Sequence, residues 1–372
     1  VTRTALAAAH RVVVKVGSSS LTDATGRLDV AAVRALADVL AARRSLGHQV
    51  VLVSSGAIAA GLGPLGLAAR PRDLATAQAA ASVGQGLLLA RYTEAFAHHG
   101  QRVGQVLLTV DDVVRRATYR NAVRTLDRLL ELGVMPVVNE NDTVATHEIR
   151  FGDNDRLAAL VSHMTRADVL VLLSDVDALY TAPPGTPGAR RIEHVTGPDD
   201  LAAVSIGGAG SGVGTGGMVT KLDAAAIATG SGVPVLLTSA ANVGAALAGE
   251  PVGTWFDATG SRKRAQRLWL AYAARTQGRV VLDDGAVRAI TVGKKSLLAA
   301  GITAVEGDFD QGDVVELADA DGVVVARGVV AYSAEELPRI MGKSSAAVLD
   351  ELGSDREVVH RDHLAVVRHH RR

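Results

Sequence analysis

Lysine is scarce in this chain, six against thirty-three arginines, and one of the six stands where a lysine is least expected. In Val13-Val14-Lys15-Val16-Gly17-Ser18-Ser19-Ser20 an apolar run delivers Lys15 straight into a turn of small residues, whose N–H groups can face an anion. A surface lysine at a strand terminus is the plainer alternative. A second lysine closes the segment Gly212-Val213-Gly214-Thr215-Gly216-Gly217-Met218-Val219-Thr220-Lys221, a glycine-dense loop leading into a helix. Backbone N–H groups and the positive helix end can cradle a phosphate there, and Lys221 adds a full charge. A flexible surface loop without a ligand is the alternative.

Amides and carboxylates form a third constellation. Asn139-Glu140-Asn141-Asp142-Thr143 follows an apolar run, and Gly152-Asp153-Asn154-Asp155 opens a helical pattern. Such positions border the crevice at the carboxyl edge of a parallel sheet, although Asn and Asp are also common turn formers and caps. Ser54-Ser55-Gly56-Ala57-Ile58 and Ser174-Asp175 end strand-like runs in the same way. The first could offer a hydroxyl and helix-start amides to a carboxylate, the second a contact to a nucleotide or magnesium ion; a cap and a turn are the plain alternatives. Gly61 to Gly66 and Gly212 to Gly217 match GxGxxG by letter, but each lacks the preceding strand and the later acidic residue of a dinucleotide site. Neither a Walker A loop nor the HRD and DFG motifs of protein kinases occur.

The elements that must position these residues follow from periodicity. Short Val/Leu-rich runs at 11–16, 49–53, 103–108, 134–138, 169–173 and 233–237 read as buried parallel strands. Helical patterns at 29–46, 74–98, 118–132 and 219–229 lie between them, the alternation of a mainly parallel sheet covered by helices on both faces. From 254 to 276 the chain turns basic and mixed, and beyond Gly278 short alternating runs broken by Gly and Asp predict a small all-β barrel or sandwich. Asp321-Gly322 reads as its hairpin turn and Ala182 to Ala189 as a surface loop. The expected division is 1–260, a linker at 261–277, a β domain at 278–356 and a basic tail at 357–372.

Composition narrows the function classes. A chain of 372 residues with 48% hydrophobic residues but 3% aromatics builds its core from Ala, Val and Leu. A formal net charge of +0 supplies no global field for nucleic acid or an anionic membrane. With no cysteine there is neither a disulfide nor a thiolate nucleophile, which fits a reducing cytoplasm. No run of 18 apolar residues spans a bilayer, and Val1 to His10 lacks a signal-peptide pattern. The eleven histidines make no zinc pattern, and His369-His370-Arg371-Arg372 reads as a solvated tail.

Taken in order, these segments resemble the glutamate 5-kinases of the amino acid kinase family, from about His10 to Asp362. VVKVGSSSLTD, VLVSSGAIAAG, VVNENDTVAT, FGDNDRLAAL and SGVGTGGMVTKLDAA carry the likeness, and GITAVEGDFDQGDVVEL with GVVVARGVVAYS resembles a PUA domain. The resemblance implies a three-layer α/β sandwich with a PUA-like barrel after it, and transfer of the ATP γ-phosphoryl group to the γ-carboxylate of L-glutamate with magnesium, the first step of proline biosynthesis. It implies Lys15 and Lys221 as stabilisers of the transferring group, with Asp155 organising them. Ser55, Asp142 and Asn154 would bind glutamate; Lys15, Ser174, Asp175 and Thr215-Gly216-Gly217-Met218-Val219-Thr220-Lys221 would hold ATP. Position 174 departs slightly, being Ser where some relatives carry Thr. A dimer or tetramer, feedback inhibition by proline and hand-over to a γ-glutamyl phosphate reductase are further expectations. No metal ligand is assigned.

A carboxylate with a reference pKa near ~4.3 is ionised at neutral pH, so this chemistry needs no general base, only relief of the charge crowding between nucleophile and phosphate. Acetylglutamate kinase and aspartokinase are the nearest rivals; the first resemblance would predict no PUA-like end, the second a regulatory domain of alternating strands and helices. RNA binding through the PUA-like part, helped by Ser261-Arg262-Lys263-Arg264-Ala265-Gln266-Arg267, is a rival of another class, opposed by the neutral charge and the phosphate-binding segments.

Overall fold

The computed structural model describes residues 4–109, 112–113, 116–144, 154–201, 204, 217–260, 276–353 and 356–366. Two units divide the chain, Val1–Arg262 and Lys263–Arg372.

Unit one is built on an eight-stranded sheet. Its strands are β1 (Arg11–Val16), β2 (Gln49–Ser54), β3 (Arg102–Leu108), β4 (Val134–Glu140), β5 (Val169–Ser174), β8 (His194–Val195), β9 (Val235–Ser239) and β10 (Thr254–Phe256), with β6 (Leu179–Tyr180) and β7 (Arg191–Ile192) pairing apart from it. Their order is β3-β4-β2-β1-β5-β9-β10-β8, and all pairings are parallel except β10 with β9. Five consecutive residues of β1 and of β2, and all six of β5, are buried, because helices cover both faces of the sheet. The basic segment expected from 254 onward thus begins with a strand: Thr254, Trp255 and Phe256 are fully inside, but three residues are too few to show a period.

On one face lie α1 (Thr4–Ala8), α2 (Val30–Ser45), α3 (Ala57–Leu62), α4 (Leu74–Ala97) and, after the sheet has passed on, the short helix Val243–Leu247; Leu36, Leu40, Leu88, Tyr92 and Phe96 meet Val12, Val14 and Val16 there. The helix α5 (Arg116–Glu131) leads into β4, and the opposite face of the central strands carries α6 (Asn154–Met164), with α7 (Met218–Gly230) packed beside it. Asp29 and Asp73 start α2 and α4 as caps, their carboxylates accepting from Ala31 and Ala32 N–H and from Thr76 N–H. Helices α3 and α4 touch backbone to backbone: a Cβ on Gly61 would overlap the Ala80 carbonyl, and one on Gly84 the Ala57 carbonyl.

Unit two is a five-stranded sheet in the order β12-β11-β13-β14-β15, formed by Gly278–Leu282, Ile302–Gly307, Val314–Ala318, Val324–Val329 and Leu364–Val366 numbered along the chain from β11. The β13–β14 hairpin turns at Asp319–Gly322, where the Asp319 carboxylate accepts from Asp321 and Val323 N–H and Gly322 takes a φ of 81°. Among the described residues, three helices of four to eight residues, too short for periodicity to reveal, accompany it: Asp284–Thr291, Leu337–Ile340 and Ser345–Leu352. They close a core of its own around Val280, Phe309, Val315, Leu317 and Leu337.

Candidate active site

Lys15 lies level with Val53 of β2 and Leu172 of β5, one residue short of the carboxyl edge of the sheet. After β1 the chain moves to β2 on one side, while β5 flanks β1 on the other, so Lys15 stands at the point where the strand order reverses and a crevice opens. Alternation sends Val14 and Val16 into the core under α2 and α4 and Lys15 to the other face, toward α6.

There its Nζ lies 2.6 Å from Oδ1 of Asp155. Oδ2 of the same carboxylate is 3.2 Å from Nζ of Lys221 and accepts at 3.3 Å from Thr220 Oγ1. The Asp155 side chain is 0% exposed, and those of Lys15 and Lys221 are 3% and 9% exposed. Asp155 sits in the first turn of α6, where the helix dipole favours an anion; Lys221 sits in the first turn of α7, where the dipole disfavours a cation and the Asp155 charge offsets it. Two ammonium groups converge on one buried carboxylate, an arrangement able to meet a further anion. Beside the triad, Arg156 of α6 and Asp223 of α7 pair at 2.7 Å and tie the two helices together. Gly17 follows β1 directly beside the amine: a Cβ there would stand 3.5 Å from Lys15 Nζ, in ordinary contact.

A second polar cluster begins one residue before Asp155. Asn154 Nδ2 donates to the Ser54 carbonyl at 3.1 Å, to Ser55 Oγ at 3.1 Å and to Asn139 Oδ1 at 2.8 Å. Asn139, at the end of β4, also accepts from Glu140 N–H at 2.9 Å and donates from Nδ2 to Gln85 Oε1 of α4 at 2.6 Å. Ser54 Oγ and the Tyr92 hydroxyl, both fully buried, lie 2.9 Å apart. Burial pushes the Tyr92 hydroxyl well above the usual phenol range, so it stays protonated. Ser55 is turned toward the site by Gly56, whose φ of 104° starts α3 and is easy only for glycine.

The structure therefore brings Lys15, Asp155, Thr220 and Lys221 into one cluster and Ser55 with Asn154 into its neighbour. Asp142 lies in the turn just after β4, half-buried. Ser174 ends β5 level with Ser239 of β9 and donates to Asp175 Oδ1 at 3.0 Å, and neither side chain belongs to the two clusters. Gly217 caps α7, and Met218, Val219 and Thr220 form its first turn. Thr215 and Gly216, with Gly212 to Gly214 and Asp153, lie outside the described residues, as do 261–267 and 369–372. Sequence reasoning missed Gln85, Tyr92, Arg156 and Asp223. For Gln85 a signal existed: it is one of two long polar side chains in an uncharged stretch from Leu74 to Ala90. The two partners of the interhelical pair carry no such mark.

Comparison with known proteins places this geometry. The model of the amino acid kinase family matches residues 10–239, and that of the PUA domain matches residues 278–352. Glutamate 5-kinase of Streptomyces coelicolor is 62% identical over 98% of this chain and 98% of its own length, and that of Thermobifida fusca is 61% identical over 99% and 96%. Among solved structures, carbamate kinase from Giardia lamblia bound to AMP-PNP superposes with a TM-score of 0.51 at 18% identity, covering 68% of this chain and 99% of that one, a likeness of fold alone. A family model over more than half the chain and relatives at 61–62% identity over nearly its full length give one conclusion: the chain belongs to the amino acid kinase family, in its glutamate 5-kinase branch.

Proposed function

We propose that this chain transfers the γ-phosphoryl group of ATP to the γ-carboxylate of L-glutamate, giving L-glutamyl 5-phosphate, the first step of proline biosynthesis. The observation that carries the mechanism is the buried bridge in which one carboxylate, Asp155, holds Lys15 and Lys221 together. A γ-carboxylate oxygen attacks the γ-phosphorus, the bond from that phosphorus to the bridging oxygen breaks, and ADP leaves with the electron pair. No proton moves, because the nucleophile is already ionised. What must be overcome is repulsion between anions, and two ammonium groups fixed in a dry site meet the charge on the transferring oxygens without reorganisation. Asp155 holds the two ammonium groups at one point until the phosphates arrive.

Ser55, Asp142 and Asn154 bind glutamate, and Ser174, Asp175 and the segment Thr215–Lys221 bind the nucleotide. Among the described residues no group of three carboxylate or imidazole side chains could hold a metal ion, and both oxygens of Asp155 are engaged by lysines. Magnesium would arrive on the ATP phosphates as part of the substrate, and no step here runs through it. The same proposal includes a homo-oligomer working in the cytoplasm; among the described residues no helix is long and apolar enough to cross a membrane.

The test is ATP turnover with hydroxylamine present to trap an acyl phosphate. Hydroxamate is expected with L-glutamate and not with N-acetyl-L-glutamate or L-aspartate. Turnover with another acceptor would move the specificity, and none with any would end the proposal.

A further inference from the structure

The polar relay on α4 carries an inference about how the amino-acid substrate is read. Two backbone groups set its polarity. The Glu140 N–H can only donate, so the Asn139 atom it faces is Oδ1; the Ser54 carbonyl can only accept, so the Asn154 atom it faces is Nδ2. Asn139 Nδ2 is then turned to α4, where Gln85 Oε1 receives it at 2.6 Å. Asn139 is 1% exposed, so without Gln85 its amide would lose its acceptor away from water.

At the far end, the two N–H groups of Asn154 Nδ2 are shared among three acceptors, and its Oδ1 is buried with no hydrogen-bond partner among the described residues. An orphaned buried acceptor one residue from the Lys15–Asp155–Lys221 bridge asks for a donor. L-glutamate at neutral pH has two carboxylates, which only accept, and one α-ammonium, which only donates. We propose that Asn154 Oδ1 receives the α-ammonium of L-glutamate and that Gln85 is the positioning residue that holds this acceptor in place through Asn139. Gln85 touches no substrate; it acts through the relay. This rests on the function proposed above and adds to it the atom that recognises an amino acid rather than a plain dicarboxylate.

The experiment compares the wild type, Gln85→Met and Gln85→Glu in the hydroxamate assay, with glutarate, which lacks the ammonium, as competitive inhibitor against L-glutamate. Wild-type turnover on glutamate first tests the function itself, separately from the relay. Gln85→Met keeps the length but removes the acceptor, and should raise the KM for L-glutamate about tenfold while kcat and the KM for ATP stay within about twofold. The Ki of glutarate should stay within about twofold, because it never used Oδ1. Gln85→Glu keeps an acceptor for Asn139 and should restore the KM for glutamate. Gln85→Ala, a good helix former, stands in if Gln85→Met does not fold. An unchanged KM in a folded variant without the acceptor, or a glutarate Ki that rises in step with the glutamate KM, overturns the proposal; glutarate that does not compete at all in the wild type supports dependence on the ammonium.

Discussion

Lys15 and Lys221 share a single buried carboxylate, and that sharing decides what each substitution does. Lys15→Ala removes a fixed positive charge from the transferring phosphoryl group and is expected to lower kcat by roughly a hundredfold or more in the hydroxamate assay, with a smaller change in the KM for glutamate. Asp155→Asn is different in kind. It leaves two ammonium groups, 3% and 9% exposed, without their common counter-ion, and should cost about 3 kcal/mol in urea unfolding. ATP, which brings negative charge to the same point, should then raise the Tm of Asp155→Asn more than that of the wild type, and an equal shift would mean that the nucleotide does not meet these lysines. Lys15 and Lys221 were legible in sequence because a lysine at the end of an apolar strand and one after a glycine loop are each anomalous. Their partner was visible in the residues as one acid among several, in a run whose Asp153 or Asn154 reads equally well as a helix cap. The links from Asn154 to Ser55 and from Asn139 to Gln85 join residues 99 and 54 positions apart, and no local pattern marks such pairs.

At the scale of elements, the site depends on where α3 and α4 are pinned. Gly84 lies against the Ala57 carbonyl, and Ala57 opens α3 directly after Ser55 and Gly56. A methyl at position 84 would meet backbone, which cannot swing aside as a side chain can. Gly84→Ala is therefore expected to cost about 3 kcal/mol by thermal or urea unfolding and to raise the KM for glutamate by displacing Ser55. The start of α4 responds to pH. A hydrogen bond from the Thr76 N–H to the carboxylate of its cap, Asp73, holds that carboxyl below the ordinary range. A lowered folded-state pKa means that the capping contribution is fully present above the unfolded carboxylate pKa and is lost as pH falls through the folded one. Asp73→Ala should accordingly lower the Tm at neutral pH, and the gap from the wild type should close in acid; a gap that persists there would show that the cap works through shape alone. Strands β1, β2, β4, β5 and β9 were readable because burial on both faces makes them continuous apolar runs, and the long helices because 16 to 24 residues suffice to show a period. The three-residue strand β10 and the short helices after Asp283 fall below that length.

For the molecule as a whole, the sequence turns basic and mixed from 254 to 276 and shows short alternating runs only beyond Gly278, while the structure divides the chain between Arg262 and Lys263. Each unit closes its own core, the first around the sheet and the second around Phe309, Leu317 and Leu337. Every residue placed here in phosphoryl transfer or in holding glutamate and ATP belongs to the first unit. Two consequences separate the roles. A protein ending at residue 260 should unfold cooperatively and still form hydroxamate from L-glutamate and ATP, with kcat within about tenfold of the full chain, since no charge that meets the transition state has been removed. The complementary piece, from residue 276 onward, should show its own cooperative transition and no turnover. If the shortened kinase unit folds, as judged by its unfolding curve, yet makes no hydroxamate, the second unit must supply something the chemistry requires, and the assignment of the whole reaction to the sheet edge at Lys15 fails.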